Sequence, residues 1–511
     1  MVLTPRMTQN GKIYDAIIIG SGMGGMSSAS MLARDGYSVL VLEAAHALGG
    51  CSSSYTRKGY TFESGATTLI GFDKHQPMRI LEDELGIEIP KVALEPSMQV
   101  MLNGKTVTRW QDREKWIEEA AKQFGEGPAQ KSFWELAFDV SDVVWKVSGQ
   151  NNFFPPIEIS DWFKLFKNDP RDVWVLPYAL KSVRDVARSK GISNPEFYTF
   201  LDEQLMISAQ AGSDETPFLF GAPASTYTNS TNYYVPGGLI EMVHTLRDYI
   251  TGKGGVVKTK ARVVNLEKSG DRFVVTTKSK RGELRSYHSI GVISNLPVWN
   301  MEEITNGPMA DYFRREAKQY KKAWGAFTMG IAFENNIPPD VPLHNQIHLS
   351  KEDGTEGLHS GSIFVSLSHP DDDVRSPDGK RTMNVSTHAE PEFWFNLNGR
   401  YDEVKERVHD QIIRVIAKSI PGFSASDIEI AFSSTPVTWS NWVYRKKGRV
   451  GGIPQQMDRS LLDWTPGKTP FSGLYMAGDT VFPGQGIPGV TLGGINVYYR
   501  FNKHFKTIQI R

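Results

Sequence analysis

The chain of 511 residues has a single cysteine, Cys51. One cysteine excludes an intrachain disulfide and a multi-cysteine zinc or iron–sulfur site, and it favours a reducing compartment. The chain also has no net charge, because 57 basic residues balance 57 acidic ones. This balance gives no overall attraction to nucleic acid, so we expect no nucleic-acid partner.

Long apolar runs are absent as well. No run approaches the roughly 18–20 residues that a helix needs to cross a bilayer, and residues 1–12 hold no apolar core of a secretory signal. We therefore expect a cytoplasmic protein, with peripheral attachment to the inner face of a membrane left open. A chain of this length can bury a large core and form about two or three lobes.

A glycine-rich turn carries the strongest signal in the sequence. The apolar run 14–19 leads into Gly20-Ser-Gly22-Met-Gly24-Gly25, then a helical segment, then a second apolar run that ends at Glu43. This is the order of a dinucleotide-binding unit, in which the glycines allow a tight turn, close approach of a pyrophosphate and packing of helix on strand. The carboxylate after the second strand would accept from ribose hydroxyls. The binding residues predicted here are Gly20, Gly22, Gly24, Gly25 and Glu43.

Two further glycine motifs favour FAD over NAD. In flavoproteins of the glutathione-reductase type, a glycine pair such as Gly49-Gly50 lets the chain cross the pyrophosphate of FAD. Near the C-terminus a short strand runs into Gly478-Asp479, and in those enzymes such an aspartate meets the ribityl or pyrophosphate part of FAD. No second convincing Gly-x-Gly-x-x-Gly unit is present, so we expect no separate NADPH domain.

Three more segments are predicted to contact the flavin cofactor. A Pro/Gly-rich turn before a helix predicted over 491–501 would aim backbone N–H groups of Gly489 and Val490 at the flavin edge that becomes negative on reduction. The backbone of Gly65-Ala66 follows a short strand and would lie against the ring. In flavoproteins with two dinucleotide-binding domains a residue in the place of Val263 meets the adenine.

These signals predict an α/β fold. A doubly wound, glutathione-reductase-like FAD-binding domain with an antiparallel layer is joined to a mixed α+β substrate lobe. The FAD-binding domain is predicted to be discontinuous, formed by residues 13–75, 232–300 and 425–511. The substrate or membrane-facing lobe is predicted to comprise residues 76–231 and 301–424.

Two segments of the lobe allow different interpretations. Aromatic and lysine residues near 153–167 indicate either an ordinary core with solvated lysines or a segment that enters a membrane surface. Pro370-Asp-Asp-Asp373 is predicted to be a solvated turn, because no other carboxylate spacing supports a metal cage. No metal site is therefore expected.

Several of these motifs together resemble the bacterial-type phytoene desaturase family, which includes carotenoid isomerases and retinol saturases. The likeness rests on the glycine turn, Gly49-Gly50, residues 59–65, Pro236-Gly-Gly238 and Ala477-Gly-Asp479…Phe482-Pro-Gly-Gln-Gly486. Residues 435–455, which include Arg445-Lys-Lys-Gly448, are similar to carotenoid C-3′,4′ desaturases and isomerases. Cys51 departs from the arginine that often follows Gly-Gly in phytoene desaturases and amine oxidases. Amine oxidases resemble the chain less, since they usually carry Gly-Glu in place of Gly478-Asp479.

The resemblance implies an FAD-dependent desaturase of a long apolar polyene, with a quinone or oxygen as electron acceptor. A carotenoid cis–trans isomerase or a polyene or retinol saturase is the near alternative. A non-enzymatic prenyl-lipid carrier of the GDP-dissociation-inhibitor type is the alternative of another class, and the intact glycines argue against it. No catalytic side chain is predicted, and His46, His244 and His388 are expected to be structural or surface residues.

Overall fold

The computed structural model describes residues 12–165, 169–320, 322–350, 353, 356–459 and 463–509. Its strands are β1 (Ile13–Ile19), β2 (Val39–Leu42), β3 (Ser54–Arg57), β4 (Tyr60–Glu63), β5 (Val92–Leu94), β6 (Met98–Leu102), β7 (Lys105–Arg109), β8 (Asn232–Tyr234), β9 (Val256–Lys258), β10 (Arg262–Ser269), β11 (Arg272–Lys278), β12 (Leu284–Ser294), β13 (Gly325–Glu334), β14 (His344–His348), β15 (Ser362–Leu367), β16 (Lys380–Ala389), β17 (Ile428–Ser434) and β18 (Leu474–Met476).

The structure also contains α-helices. They are α1 (Met23–Arg34), α2 (Pro77–Leu85), α3 (Arg113–Phe124), α4 (Gly127–Gln150), α5 (Ile159–Leu165), α6 (Val183–Ser189), α7 (Pro195–Ser208), α8 (Phe218–Ser225), α9 (Ile240–Gly252), α10 (Val298–Ile304), α11 (Gly307–Lys318), α12 (Pro391–Phe395), α13 (Tyr401–Ser419), α14 (Pro436–Trp442) and α15 (Gly486–Gln509). Among the described residues, six of these helices, α3 to α8, follow one another without an intervening strand. In the part of the chain that the structure describes, no helix is both long and apolar enough to cross a membrane.

The first sheet carries the glycine turn. Its order is β10-β11-β12-β1-β2-β9, and β18 also pairs with β12. The strands from β12 to β9 run parallel, as does β18, whereas β10 and β11 form an antiparallel layer against β12. Helices α1, α9 and α15 cover one face with buried residues such as Met26, Leu246 and Ile495. The predicted doubly wound sheet with an antiparallel layer is confirmed.

The second sheet forms the centre of the other lobe. Its order is β17-β13-β16-β15-β14-β6-β7, with β6 and β14 parallel and the other pairs antiparallel. Helix α13 packs on one face of the sheet through Ile412 and Ile416. Helices α3, α4, α6, α7 and α8 build an aromatic core beside it, in which the rings of Trp116 and Trp134 meet edge to face at 5.0 Å.

One boundary predicted from the sequence differs from the strand pairing. The prediction places residues 425–434 in the FAD-binding domain, but β17 pairs with β13 in the second sheet. The choice of sheet depends on contacts distant along the chain, which local patterns do not encode. The rest of the predicted domain division stays a prediction.

The turn Pro370-Asp-Asp-Asp373 was predicted to be solvated, but the structure buries part of it. Asp372 is buried and accepts hydrogen bonds from the Tyr234 hydroxyl at 2.6 Å and from the Gly237 N–H at 2.8 Å. This carboxylate therefore ties the turn to the Pro236-Gly-Gly238 loop. Within the described ranges, no cluster of histidine, cysteine and carboxylate side chains could hold a metal ion.

Candidate cofactor site

A cavity of about 370 Å³ opens where β1, β2 and β12 end. In doubly wound sheets, ligands bind at the carboxyl ends of the strands. Eight predicted cofactor residues line this cavity. They are Gly20, Gly22, Glu43, Gly49, Gly50, Val263, Asp479 and Val490.

The other six predicted residues lie around the cavity without lining it. Gly24 and Gly25 lie in the first turn of α1, and a Cβ on Gly24 would overlap the carbonyl oxygen of Ala477. Gly478 packs on the backbone of Asn295. Of the remaining three, the N–H of Ala66 donates to the carbonyl of Cys51, which lines the cavity. Gly65 lies next to the Trp439 ring and Gly489 next to the Gly484 carbonyl.

The glycine turn has the backbone and the space that its sequence predicted. Gly20 has a φ of +92°, a conformation that side chains disfavour. A Cβ on Gly22 would overlap the side-chain amide of Asn295, whose oxygen accepts from the Gly25 N–H at 3.0 Å. Any side chain at residue 22 would thus fill the place where the turn faces the cavity.

Glu43 is oriented by a serine that sequence reasoning missed. One oxygen of its carboxylate accepts from the Ser21 N–H at 2.9 Å and from the Ser21 hydroxyl at 2.6 Å, and the other accepts from the Ala45 N–H. The same hydroxyl accepts from the Gly49 N–H at 3.1 Å. Ser21 therefore holds the predicted ribose-binding carboxylate and the predicted phosphate-crossing glycine in one arrangement.

Asp479 forms an ion pair that also escaped the sequence analysis. Its Oδ2 lies 2.7 Å from Nη2 of Arg445, and both side chains are nearly buried, at 12% and 11% exposure. Among the described residues, its Oδ1 is buried and has no hydrogen-bond partner. A buried acceptor of this kind needs a donor, and the ribityl hydroxyls of FAD would supply one. The residues present therefore fit the cofactor.

Cys51 lies in the same wall, next to this ion pair. Burial raises the pKa of the Cys51 thiol, while the nearby Arg445 guanidinium opposes that rise. Residues 435–455 had been noted for their family resemblance alone.

The last helix begins earlier than predicted, and its second turn reaches the cavity. α15 begins at Gly486 instead of Thr491, and Val490 in its second turn lines the cavity. A Cβ on Gly494 would overlap the carbonyl oxygen of Gly24, so α15 and α1 cross in close contact. α1 therefore begins at the cavity and α15 reaches it in its second turn, and the N-terminal end of each helix carries positive partial charge.

A chain of polar groups runs from the loop after Gly65 into the second sheet. The Ser366 hydroxyl donates to the Thr67 hydroxyl at 2.8 Å and lies 2.9 Å from Nδ1 of His344. Burial, and then the charge of Arg375, lower the pKa of His344 to about 4. The imidazole is therefore neutral at pH 7. No sequence pattern marked these groups.

The histidines named from the sequence occupy unremarkable places. His46 is exposed, and Nδ1 of His244 lies 3.1 Å from the Glu241 carboxylate on the same helix. Burial lowers the pKa of His388 to about 4, and its Nδ1 meets the Ser360 hydroxyl at 3.0 Å.

Two family models match the sequence. A model of an NAD(P)-binding Rossmann-like domain matches residues 18–85. A model of the flavin-containing amine oxidoreductases matches residues 190–497, which is more than half of the chain. The chain belongs to the flavin-containing amine oxidoreductase family. It is therefore an enzyme that uses FAD, as the sequence predicted.

Relatives of this flavin-containing oxidoreductase match nearly the whole chain. Prolycopene isomerase of Daucus carota is 27% identical over 504 residues, which are 95% of this chain and 80% of the carrot protein. A 4,4'-diapophytoene desaturase (4,4'-diapolycopene-forming) of Methylomonas sp is 21% identical over 496 residues, 93% of this chain and 92% of that protein. The predicted resemblance to the desaturase, isomerase and saturase family is confirmed.

The fold recurs in a solved structure of an oxidoreductase from Methanosarcina mazei. The TM-score is 0.61 at 17% identity, and the match covers 94% of this chain and 99% of the other. At this identity the likeness concerns the fold alone.

Proposed function

We propose that this flavin-dependent oxidoreductase acts on a long apolar polyene of the carotenoid type. The observation that carries the proposal is the similarity over 93–95% of the chain to two proteins named for such substrates. Because the match includes the second lobe as well as the cofactor cavity, it extends beyond what FAD binding alone requires.

The residues around the cavity have the chemistry to hold FAD, which supplies a hydride acceptor when bound. The glycine turn and the start of α1 would bind the pyrophosphate, and Glu43 the ribose of the adenosine part. Asp479 would accept from the ribityl chain through its unpaired oxygen. The start of α15 would stabilise negative charge on the reduced ring.

Three reactions are consistent with this proposal. Net desaturation is the reaction that the sequence analysis favoured. Cis–trans isomerisation is the second candidate, since the carrot isomerase is 27% identical and the bacterial desaturase 21%. Saturation is the reverse of the first reaction.

Anaerobic mixing of oxidised holoenzyme with polyene separates the candidates. Net desaturation bleaches the yellow absorbance in proportion to the double bonds formed, and the electrons would then pass to a quinone or oxygen. Isomerisation requires prior reduction and leaves the absorbance of the reduced enzyme unchanged. Stopped-flow reoxidation with each acceptor compares quinone with oxygen.

Expression in cells that make acyclic carotenoids tests the substrate class. The pigment composition should change with the wild-type chain and stay unchanged with Gly22→Val, which fills the turn against Asn295. If an FAD-loaded wild-type protein alters no polyene in such cells, the proposal is wrong.

We also propose that residues 157–163 attach the protein to a lipid surface, from which an apolar polyene is reached. Ile159, Trp162 and Phe163 are 78%, 45% and 67% exposed, an arrangement typical of interfacial segments. Residues 166 and 167 of the predicted segment lie outside the described part.

Liposome co-sedimentation tests this attachment. The double variant Trp162→Ser, Phe163→Ser should bind vesicles several-fold more weakly, because it removes two apolar side chains that would enter the bilayer. Trp442→Ser is the matched control, since Trp442 is 67% exposed elsewhere on the surface. Equal binding of the double variant and the wild type would contradict the proposed attachment through residues 157–163.

A further inference from the structure

The cofactor cavity has few cations for a ligand with two phosphates. The charged residues that line it are Arg262, Arg445, Glu43, Glu303 and Asp479. The start of α1 adds about half a positive charge, which falls short of the two negative charges of a pyrophosphate. Arg262 is exposed and stands beside Val263, the residue predicted for the adenine end. Arg445 is the cation on the side of Gly50 and Cys51.

The backbone on both sides of Arg445 is held in place by one side chain. The Asn300 side chain donates to the carbonyl of Tyr444 at 2.9 Å and accepts from the N–H of Lys446 at 3.1 Å. These two bonds fix the backbone on either side of Arg445. A cation on so constrained a loop loses little conformational freedom when it binds an anion.

The guanidinium has donors left for a ligand. Its Nε donates to the carbonyl of Arg449 and its Nη2 to Asp479. Within the described residues no hydrogen bond is formed by Nη1, and the side chain lines the cavity. A guanidinium offers five N–H groups, so the ion pair with Asp479 orients it without using all of them.

The position of Arg445 also bears on Cys51, where the chain departs from the pattern of the families it resembles. Relatives in the resembling families often have an arginine after the glycine pair, where this chain has a small thiol. The guanidinium of Arg445 lies close enough to that thiol to act on its ionisation. A positive charge thus reaches the neighbourhood of residue 51 from a segment almost 400 residues later in the sequence.

We propose that Arg445 is the cation that binds the pyrophosphate of FAD, in place of the arginine missing at residue 51. This inference rests on the cofactor site described above and not on the polyene. Asp479 then has two roles: one oxygen orients Arg445 and the other is left for a ribityl hydroxyl.

Titration of the apoprotein with ADP and with FAD tests the assignment. ADP carries the pyrophosphate without the flavin, so Arg445→Gln should weaken the binding of both ligands by roughly 10–100-fold, as expected when a charged hydrogen-bond donor is lost. Arg445→Lys should fall between Arg445→Gln and the wild type. Arg272→Gln, which removes an exposed arginine that does not line the cavity, should change either affinity by less than about 3-fold.

The variant Asp479→Asn distinguishes the effect of the Arg445 cation from the effect of its ion pair with Asp479. This variant removes the partner of Arg445 but keeps the guanidinium, so ADP affinity should be retained while FAD affinity falls. If Arg445→Gln leaves ADP affinity unchanged, or if Asp479→Asn weakens ADP as much as Arg445→Gln does, the assignment is wrong.

The single cysteine gives a second measurement that does not depend on Arg445→Gln folding. Cys51 lines the cavity, so ADP bound by Arg445 should slow its alkylation by iodoacetamide in the wild type. Unchanged alkylation at saturating ADP would overturn the proposal. Neither measurement uses a polyene, so an enzyme that converts no carotenoid would leave the outcome intact.

Discussion

Removal of Arg500 should release the segment that presents Trp162 and Phe163. Arg500 on α15 pairs with Asp161 at 3.1 Å, and the two side chains are 5% and 0% exposed. Its Nη2 also donates to the carbonyls of Phe153 at 2.6 Å and Pro155 at 2.8 Å. This one guanidinium therefore joins the segment 153–161 to the helix whose second turn lines the cofactor cavity.

The expected loss follows from the burial of the pair. Arg500→Met leaves the Asp161 charge buried without its cation, and breaking such a pair typically costs about 3–5 kcal/mol. In Arg500→Met, Asp161→Asn the buried charge is absent, so the loss should shrink to about 1–2 kcal/mol. Lys503→Met, which removes an exposed pair with Glu158, should cost less than about 1 kcal/mol.

Hydrogen exchange measures the loss at the segment itself. The N–H groups of Ile157 and Glu158 both donate to Asp161 at 3.2 Å, so their protection reports directly on the local opening free energy. Arg500→Met should reduce the protection of these N–H groups at least about 100-fold, because each 1.4 kcal/mol of opening free energy corresponds to a tenfold change in protection. Equal protection in Arg500→Met and Lys503→Met would refute the reasoning, because the buried pair would then contribute no more than the exposed one.

Two further predictions concern buried polar groups. Ser21→Ala should weaken FAD binding roughly 10-fold or more, because Glu43 loses a charge-assisted hydrogen bond and the Gly49 N–H loses its acceptor; FAD titration of the apoprotein measures it, and unchanged affinity would contradict the role given to Ser21. Stability should fall as the pH drops below about 6.5, because the pKa of His344 is about 4 in the folded state and the unfolded state binds the proton first. Between pH 7 and pH 5 this group should cost about 2 kcal/mol in urea unfolding. His344→Gln should be less sensitive to pH over that range, and an identical slope would show that the buried imidazole does not contribute.

Much of the cofactor site follows from local sequence. The turn from β1 into α1 is contiguous, and glycine is required where φ is +92° at Gly20. Short-range backbone geometry and the buried apolar strands on either side therefore determine this unit in any fold that contains it. The same holds for the glycine pair after Glu43, which follows a strand that ends at the cavity.

Other features were decided only when distant segments came together. Strand β17 joins the second sheet, Asp372 is buried under Tyr234, and Arg445 meets Asp479. In each case the partner lies dozens to hundreds of residues away, and nothing in the flanking residues names it. Which polar group is buried, and against which charge, depends on the surfaces that the two lobes bring into contact, so tertiary packing had to determine it.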